Sequence, residues 1–465
     1  MKKQIRFNAF EMNCIVHQAP GLWRHPEDRS LEYKSIKYWT DLAKTLEKGL
    51  FDGIFLADVL GVYDYYKGTV DPAIEQAIQL PVNDPLQIVP VMAAVTENLG
   101  FGLTCSVTFE HPFPFARRMS TLDHLTEGRV GWNIVTSHLR SGALNIGMEK
   151  QHEHDDRYEI ADEYLDVLYK LWEGSWEQDA VLRDKEKGIF ADPRKVHPIQ
   201  HQGQYFKVPG IHLCEPSPQR TPVLYQAGAS SRGQQFATEH AECMFISAPS
   251  KKVVKGLVKE IRQKLVEKGR DPYAIKIYTW ISIVTDETDD KAYQKFKEYE
   301  SYASYEGGLT MMSGWTAIDF SQFNPTDTLE FIETHGVQSI LKSVTSADPD
   351  RRWTIEDIGK WTAMGGNGPV FVGSPSTVAD TLEEWMEETD VDGFNIAYIV
   401  AHKTFEDIVE YIVPELQHRG IYPTEYAKGT LREKLFGQGA LLQNHKATQY
   451  RVNAENNETV KASVA

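Results

Sequence analysis

The chain has 465 residues and a formal net charge of −17, from 66 acidic against 49 basic residues. That balance opposes a polyanion, and with no Lys/Arg block to offset it, nucleic acid is set aside as a partner. With 41% apolar and 25% charged residues, no apolar run long enough for a membrane span and no leader-like start, the composition predicts a soluble, cytoplasmic globular protein.

In chain order, short apolar runs alternate with longer amphipathic ones. Strands are predicted at 4–10, 52–58, 99–108, 129–136, 222–228, 242–248, 276–285 and 393–400. Helices are predicted at 36–48, 85–98, 115–126, 156–172, 232–240, 251–268, 289–302 and 405–417. Eight such alternations predict an α/β chain folded as a (β/α)8 TIM barrel. A doubly wound open sheet would favour a Gly-rich first turn, and "FEMNCIVHQAPGLW" has no GxGxxG.

Three stretches break the repeat, near 59–84, 175–221 and 305–368, and are expected as insertions in the loops at the C-terminal face of the barrel. A further strand and helix starting at 368 falls between the seventh and eighth strands. The organisation expected is one domain over 1–436 with these insertions. A C-terminal tail follows at 437–465, its end polar and expected to be disordered. Cys14, Cys105, Cys214 and Cys243 are scattered without CxxC spacing and read as reduced thiols.

Side chains at the strand ends of such a barrel converge on one mouth, so polar residues there are candidate ligand groups. "GRVGWNIVTSHL" runs from a buried strand into Ser137 and His138, which either meet a ligand or cap the next loop. "VLYQAGASSRGQQF" carries Gln226, Ala227, Gly228, Ala229 and Ser230 into a helix. This is the outline of a phosphate cradle, with small residues, hydroxyls, a helix N-terminus and the charge of Arg232; the plain alternative is a serine N-cap. Asp58 closes the second strand, and Tyr63 and Gln79 lie in the insertion after it. Cys14 and His17 follow the first strand, where a lone cysteine is more often packing than chemistry. In "QHEHDDRY" the histidines stand at i and i+2 and diverge on a helix, so no metal is predicted. Tyr158, in the first turn of that helix, faces either mouth or core. No GxSxG, Walker A or HExxH motif is present.

Taken together, "GLWRHP", "LEKGLFDGIFLAD", "RRMSTLDHLTEGRVGWNIVTS", "HDDRYEIADEYLDVLYKLWEGSWE", "SPQRTPVLYQAGASSRG" and "VPELQHRG" resemble the bacterial-luciferase-like flavin monooxygenases. More narrowly, they are similar to the branch of nitrilotriacetate, dibenzothiophene-sulfone, long-chain alkane and dimethyl sulfide monooxygenases. The resemblance implies a homodimer or homotetramer. It also implies reduced FMN, supplied by a separate NAD(P)H-dependent flavin reductase and reacting with O2 through a C4a-peroxyflavin.

Carried over by motif, Asp58 would contact the flavin ring, and Ser137 and Tyr158 the cofactor, with Gln226 to Ser230 at the ribityl phosphate end. Cys14, His17, Tyr63, Gln79 and His138 match pocket residues of the alkane enzyme. Met311 stands where that enzyme has a functional histidine, and "GGLTMMSGWTAIDFSQFNP" looks more like the dimethyl sulfide enzyme. The expected activity is oxygenation of a small organosulfur compound with C–S cleavage. Alkane hydroxylation, or flavin binding without turnover, are the alternatives.

Overall fold

In the computed structural model, which describes residues 3–228, 230–330, 336–345, 347 and 351–452, eight parallel strands close into a barrel. They are β1 (Phe7–Met12), β2 (Gly53–Ala57), β3 (Gly100–Ser106), β4 (Val130–Val135), β5 (Val223–Gln226), β6 (Cys243–Ile246), β7 (Lys276–Thr285) and β8 (Gly393–Ala397). β8 lies between β1 and β7, and the β6–β7 pairing closes the ring from Cys243↔Lys276 to Ile246↔Thr279.

The period-two pattern decides which side chains go where. On β1, Phe7 and Ala9 join the core under the helices, while Phe10 joins the barrel interior with Phe55, Tyr225, Phe245 and Tyr278. Tyr225 and Phe245 stack at 5.4 Å there. Space for that stack comes from β4: a Cβ on Gly131 would lie 2.3 Å from the Tyr225 ring.

β7 is the longest strand because it serves two partners. Its first half pairs within the barrel, and Ser282 to Thr285 pair with an added parallel strand, Val370–Gly373. Helix Asp289–Tyr302 packs on that added strand. The place between helices Lys251–Glu267 and Val413–His418 in the outer ring is taken by Pro375–Thr389. The helix expected over 85–98 is shorter, a 3-10 turn Pro85–Gln87 and an α-helix Val89–Ala93, since Pro85 and Pro90 break the backbone hydrogen-bond ladder.

The insertions at 59–84 and 305–368 meet over the mouth in one apolar cluster that includes Tyr63, Ile78, Leu309, Met311 and Trp315. The insertion at 175–221 does not join them. It leads out of a helix and into β5, so it lies at the opposite end of the barrel, where Gln219 bonds Asp123 and Arg432. The expectation that all three sit at the C-terminal face is corrected on that point.

The same far end is plugged by helix Leu431–Phe436, whose Leu431 and Leu435 enter the interior cluster. Its Arg432 is 1% exposed and binds Glu242 through two bonds of 2.7 and 3.0 Å. Removing one partner of such a pair costs roughly 3–5 kcal/mol. Packing continues past 436, with Ala447 buried and the His445 ring bonded to the His240 carbonyl at 2.7 Å. The tail end expected to be disordered lies outside the described residues. No helix among the described residues is long and apolar enough to cross a membrane.

Candidate functional site

At the C-terminal mouth a cleft of about 250 Å³ opens between the ends of β4 and β5. It is lined by Asp58, Ser137, His138, Tyr158, Gln226, Ala227, Gly228 and Ser230, eight of the sequence-predicted residues. Ala229 lies outside the described residues.

The chain folds into this shape for local reasons. Ser137 takes φ +51, turning the backbone just past β4; its hydroxyl donates to Ser106 Oγ at 2.8 Å and its carbonyl accepts from Arg157. After β5, the Gly228 N–H donates to Gln226 Oε1 at 2.6 Å. Ser230 then caps helix Ser231–His240, accepting from the Gly233 N–H at 3.1 Å. The N-cap alternative is therefore realised, with the Ser230 hydroxyl also 3.4 Å from His154 Nε2, a long contact that a ligand at the helix start could replace. A Cβ on Gly233 would lie 2.8 Å from the Tyr158 hydroxyl, so glycine lets that ring lie against the helix start. Tyr158 faces the mouth.

Arg232 does not supply the cradle's charge. It pairs with Asp162 at 2.6 Å and lies 5.2 Å from the Tyr158 ring centroid. Among the described residues lining the cleft, the arginine without a carboxylate partner is Arg157, which sequence reasoning missed. It is 6% exposed, its Nε is unpartnered, and burial pulls its pKa down. A buried guanidinium left this way favours an anionic ligand. Its signal was an arginine inside the acidic helix start of "QHEHDDRY". Gly336 and Val337, also missed, bring the later insertion over the cleft, with the Val337 N–H on the Trp315 carbonyl at 2.8 Å.

Burial, with Asp84 adding to it, pushes the Asp58 carboxyl up to about 7. Burial and the Arg157 charge push His138 down to about 4, against the Gly314 backbone, so the ring is neutral near pH 7 and its Nε2 has no partner.

The other four predicted residues do not line this cleft. Tyr63 donates to Gln79 Oε1 at 2.9 Å and Gln79 Nε2 donates to the His17 carbonyl at 3.1 Å. His17 is fully buried, edge-on to Phe10 at 4.4 Å; burial pushes it down to about 3 against the Phe10 backbone, and its ring has no side-chain partner. Cys14 is buried beside Val82, its thiol pushed up by burial. The two groups meet at helix Tyr305–Thr316: the Tyr63 ring fills the space a Gly314 side chain would take, and the Gly314 backbone reaches His138.

Among the described residues, Asp162, Glu239 and His240 could together hold a cation. Asp162 is already engaged by Arg232 and His240, and His240 by Tyr169.

Residues 16–393 match the luciferase-like monooxygenase family. The chain is 51% identical to the dimethyl-sulfide monooxygenase of Hyphomicrobium sulfonivorans over 97% of its own length and 94% of the relative. The crystal structure of that enzyme superposes with a TM-score of 0.91, covering 97% and 96% of the two chains at 50% identity. Identity to the long-chain alkane monooxygenase of Geobacillus thermodenitrificans is 49%, over 97% of this chain and 99% of that one. A riboflavin lyase solved with modified FMN and riboflavin aligns with a TM-score of 0.90 at 35% identity, over 97% and 100%.

Proposed function

Because the chain belongs to the luciferase-like monooxygenase family and is a flavin-dependent monooxygenase, we propose that it uses reduced FMN and O2 to oxygenate a small organosulfur compound, breaking a C–S bond. The flavin would come from a separate NAD(P)H-dependent reductase, and the enzyme would act as a homodimer or homotetramer.

The cleft's donor set fits FMN. Arg157 is a buried cation with a free Nε, Gly228 and Gly233 keep Cβ atoms out of the β5 turn, and Ser230 opens a ten-residue helix. On this reading Arg157, Tyr158, Ser230 and the turn at Gln226, Ala227, Gly228 and Ala229 hold the phosphate end, where the helix N-terminus adds partial positive charge. Asp58 and Ser137 contact the ring. Bound there, the flavin supplies the electrons that activate O2.

His138 works as a neutral ring. With the Gly314 backbone on one nitrogen, Nε2 accepts a hydrogen bond from the reacting group. Gly336, Val337 and the 59–84 insertion keep water off the reacting atoms. Cys14, His17, Tyr63 and Gln79 shape the substrate end.

The observation that carries the sulfide reading is Met311. It is fully buried in the insertion cluster, at the position where the resemblance to the alkane enzyme predicts a histidine. A polarisable apolar wall suits a neutral sulfide and removes a base. Oxygen inserted at the carbon next to sulfur gives a hemithioacetal, which collapses to a thiol and an aldehyde. Alkane hydroxylation is the second reading, favoured by the presence of Cys14, His17, Tyr63, Gln79 and His138 together.

Oxygen uptake with FMN, NADH, a flavin reductase and catalase, over a panel of methyl sulfides, sulfones and alkanes, tests the choice. Stoichiometric thiol and aldehyde from one sulfide is expected. Coupled uptake with an alkane alone would replace this reading by the second.

A further inference from the structure

Buried polar groups without hydrogen-bond partners are rare in native proteins, and here several fall together behind β1 and β8. Glu11 is 0% exposed and its carboxyl has no side-chain partner, only the Met12 backbone acting on it. The β1–β8 register ends at Phe10↔Ala397, and carried one residue further it sets Glu11 beside Tyr398. The Tyr398 hydroxyl is likewise buried and unpartnered, and its ring centroid lies 6.2 Å from that of His17.

On the other side, Tyr38 of helix Ile36–Lys48 packs its ring 4.3 Å from His402. His402 Nδ1 lies 3.1 Å from Arg29, whose side chain reaches solvent, and His402 Nε2 has no partner. The Glu11 carboxyl acts electrostatically on both Tyr38 and Tyr398, so exchangeable groups lie between the surface and the substrate end of the site.

We propose that Glu11, Tyr398 and His17, bridged by water, carry a proton from the Arg29–His402 surface to the reacting oxygen. The proposal rests on the monooxygenase reading. When one oxygen atom enters the substrate and the other leaves as water, FMNH⁻ becoming FMN supplies two electrons and one proton. The second proton must come through the protein. Without substrate, FMNH⁻ + O2 + H⁺ gives FMN + H2O2 and the same single proton is needed.

The groups suit the task. Burial, with Asp28 adding to it, pushes the pKa of the Glu11 carboxyl well up and so favours the form that can donate, while Cys14, Tyr38 and Tyr398 around it all carry raised pKa values. His17, neutral and with only the Phe10 backbone acting on its ring, can take a proton on one nitrogen and release it from the other.

Glu11→Gln keeps the shape and removes the proton. Infrared spectra of the flavin-free protein at neutral pH should show a protonated-carboxyl band that moves in D2O and is lost in Glu11→Gln; an ionised Glu11 would overturn the proposal. Coupled turnover, and the rate of peroxide release without substrate, should each fall about tenfold with a larger solvent isotope effect, FMN affinity unchanged, and Glu11→Asp should recover most of the loss. Should Glu11→Gln fail to fold, Tyr398→Phe, which removes only a hydroxyl, must show the same effects. Unchanged peroxide release and isotope effect in a folded variant would sink the relay. Loss of substrate oxidation across the panel with peroxide release still sensitive to Glu11 would instead sink the substrate reading and leave the relay standing.

Discussion

The β4–β5 cleft and the enclosure over β1 lie at one mouth but are made differently. The cleft is cut largely into the barrel itself: residues just past three strand ends and the first turns of two helices line it, together with Val59, Leu60, Gly336 and Val337 of the insertions, and Arg157, Tyr158 and Ser230 give it polar groups. The enclosure is made by insertions, and its wall is apolar, with Tyr63, Met311 and Trp315 packed from separate stretches of chain. A barrel fixes where strand ends point, whatever the loops do. On the proposed reading, the difference ties cofactor binding to the scaffold and substrate choice to the loops.

If that division holds, changes in the two regions should separate flavin affinity from substrate preference. The residue placed between them should affect both halves of the reaction most. Replacing His138 by Asn is expected to lower coupled turnover about a hundredfold and to raise peroxide release, with folding intact; product and peroxide measured together check it. Equal coupling in the variant would remove His138 from the reaction. Arg157→Met should come next. Losing a charged hydrogen bond of about 1.5–3 kcal/mol weakens reduced FMN binding by roughly ten- to a hundredfold. Half-saturation for flavin, at fixed substrate, reads that directly, and an unchanged value would mean that the phosphate end lies elsewhere.

Met311→His tests the other region. It is expected to shift the ratio of sulfide to alkane turnover about tenfold towards alkane while leaving flavin half-saturation as it was. A variant that lost flavin affinity instead would show that the two regions are not independent.

The same division explains what was legible in the sequence. All eight barrel strands could be read from apolar runs and turn signals, and with them Asp58, Ser137, His138 and the Gln226 to Ser230 turn, because a strand end is a local feature. Arg232 was misread because its partner Asp162 lies on another helix, 70 residues away in the chain. Arg157 escaped for the mirror reason: it stands in a run of acidic residues, and only the fold shows it buried without a carboxylate partner. Where the insertions pack depends on long-range contacts such as Tyr63 against Gly314, which no periodicity encodes. That 175–221 follows a helix and leads into a strand was already legible in the predicted order, 156–172 before it and 222–228 after it, and that order places it at the far end.

Asp58 gives the smallest effect but the sharpest sign. Burial and Asp84 push its carboxyl up to about 7 in the folded protein from an ordinary value of 3.8, so folding holds a proton that the unfolded chain would already have released. Stability from this group is complete below the unfolded value and is lost as pH rises from about 4 through 7. Asp58→Asn, which cannot ionise, should therefore raise Tm at pH 8 by a degree or two and leave it nearly unchanged at pH 4. The same charge acts on the ligand. Above pH 7 the ionised carboxylate repels a reduced flavin monoanion beside it, so in the native protein flavin half-saturation should rise severalfold between pH 6 and 8, and the Asn variant should flatten that rise. A flat profile in both proteins would place Asp58 away from the flavin ring and leave it as a strand-end residue bonded to its own loop.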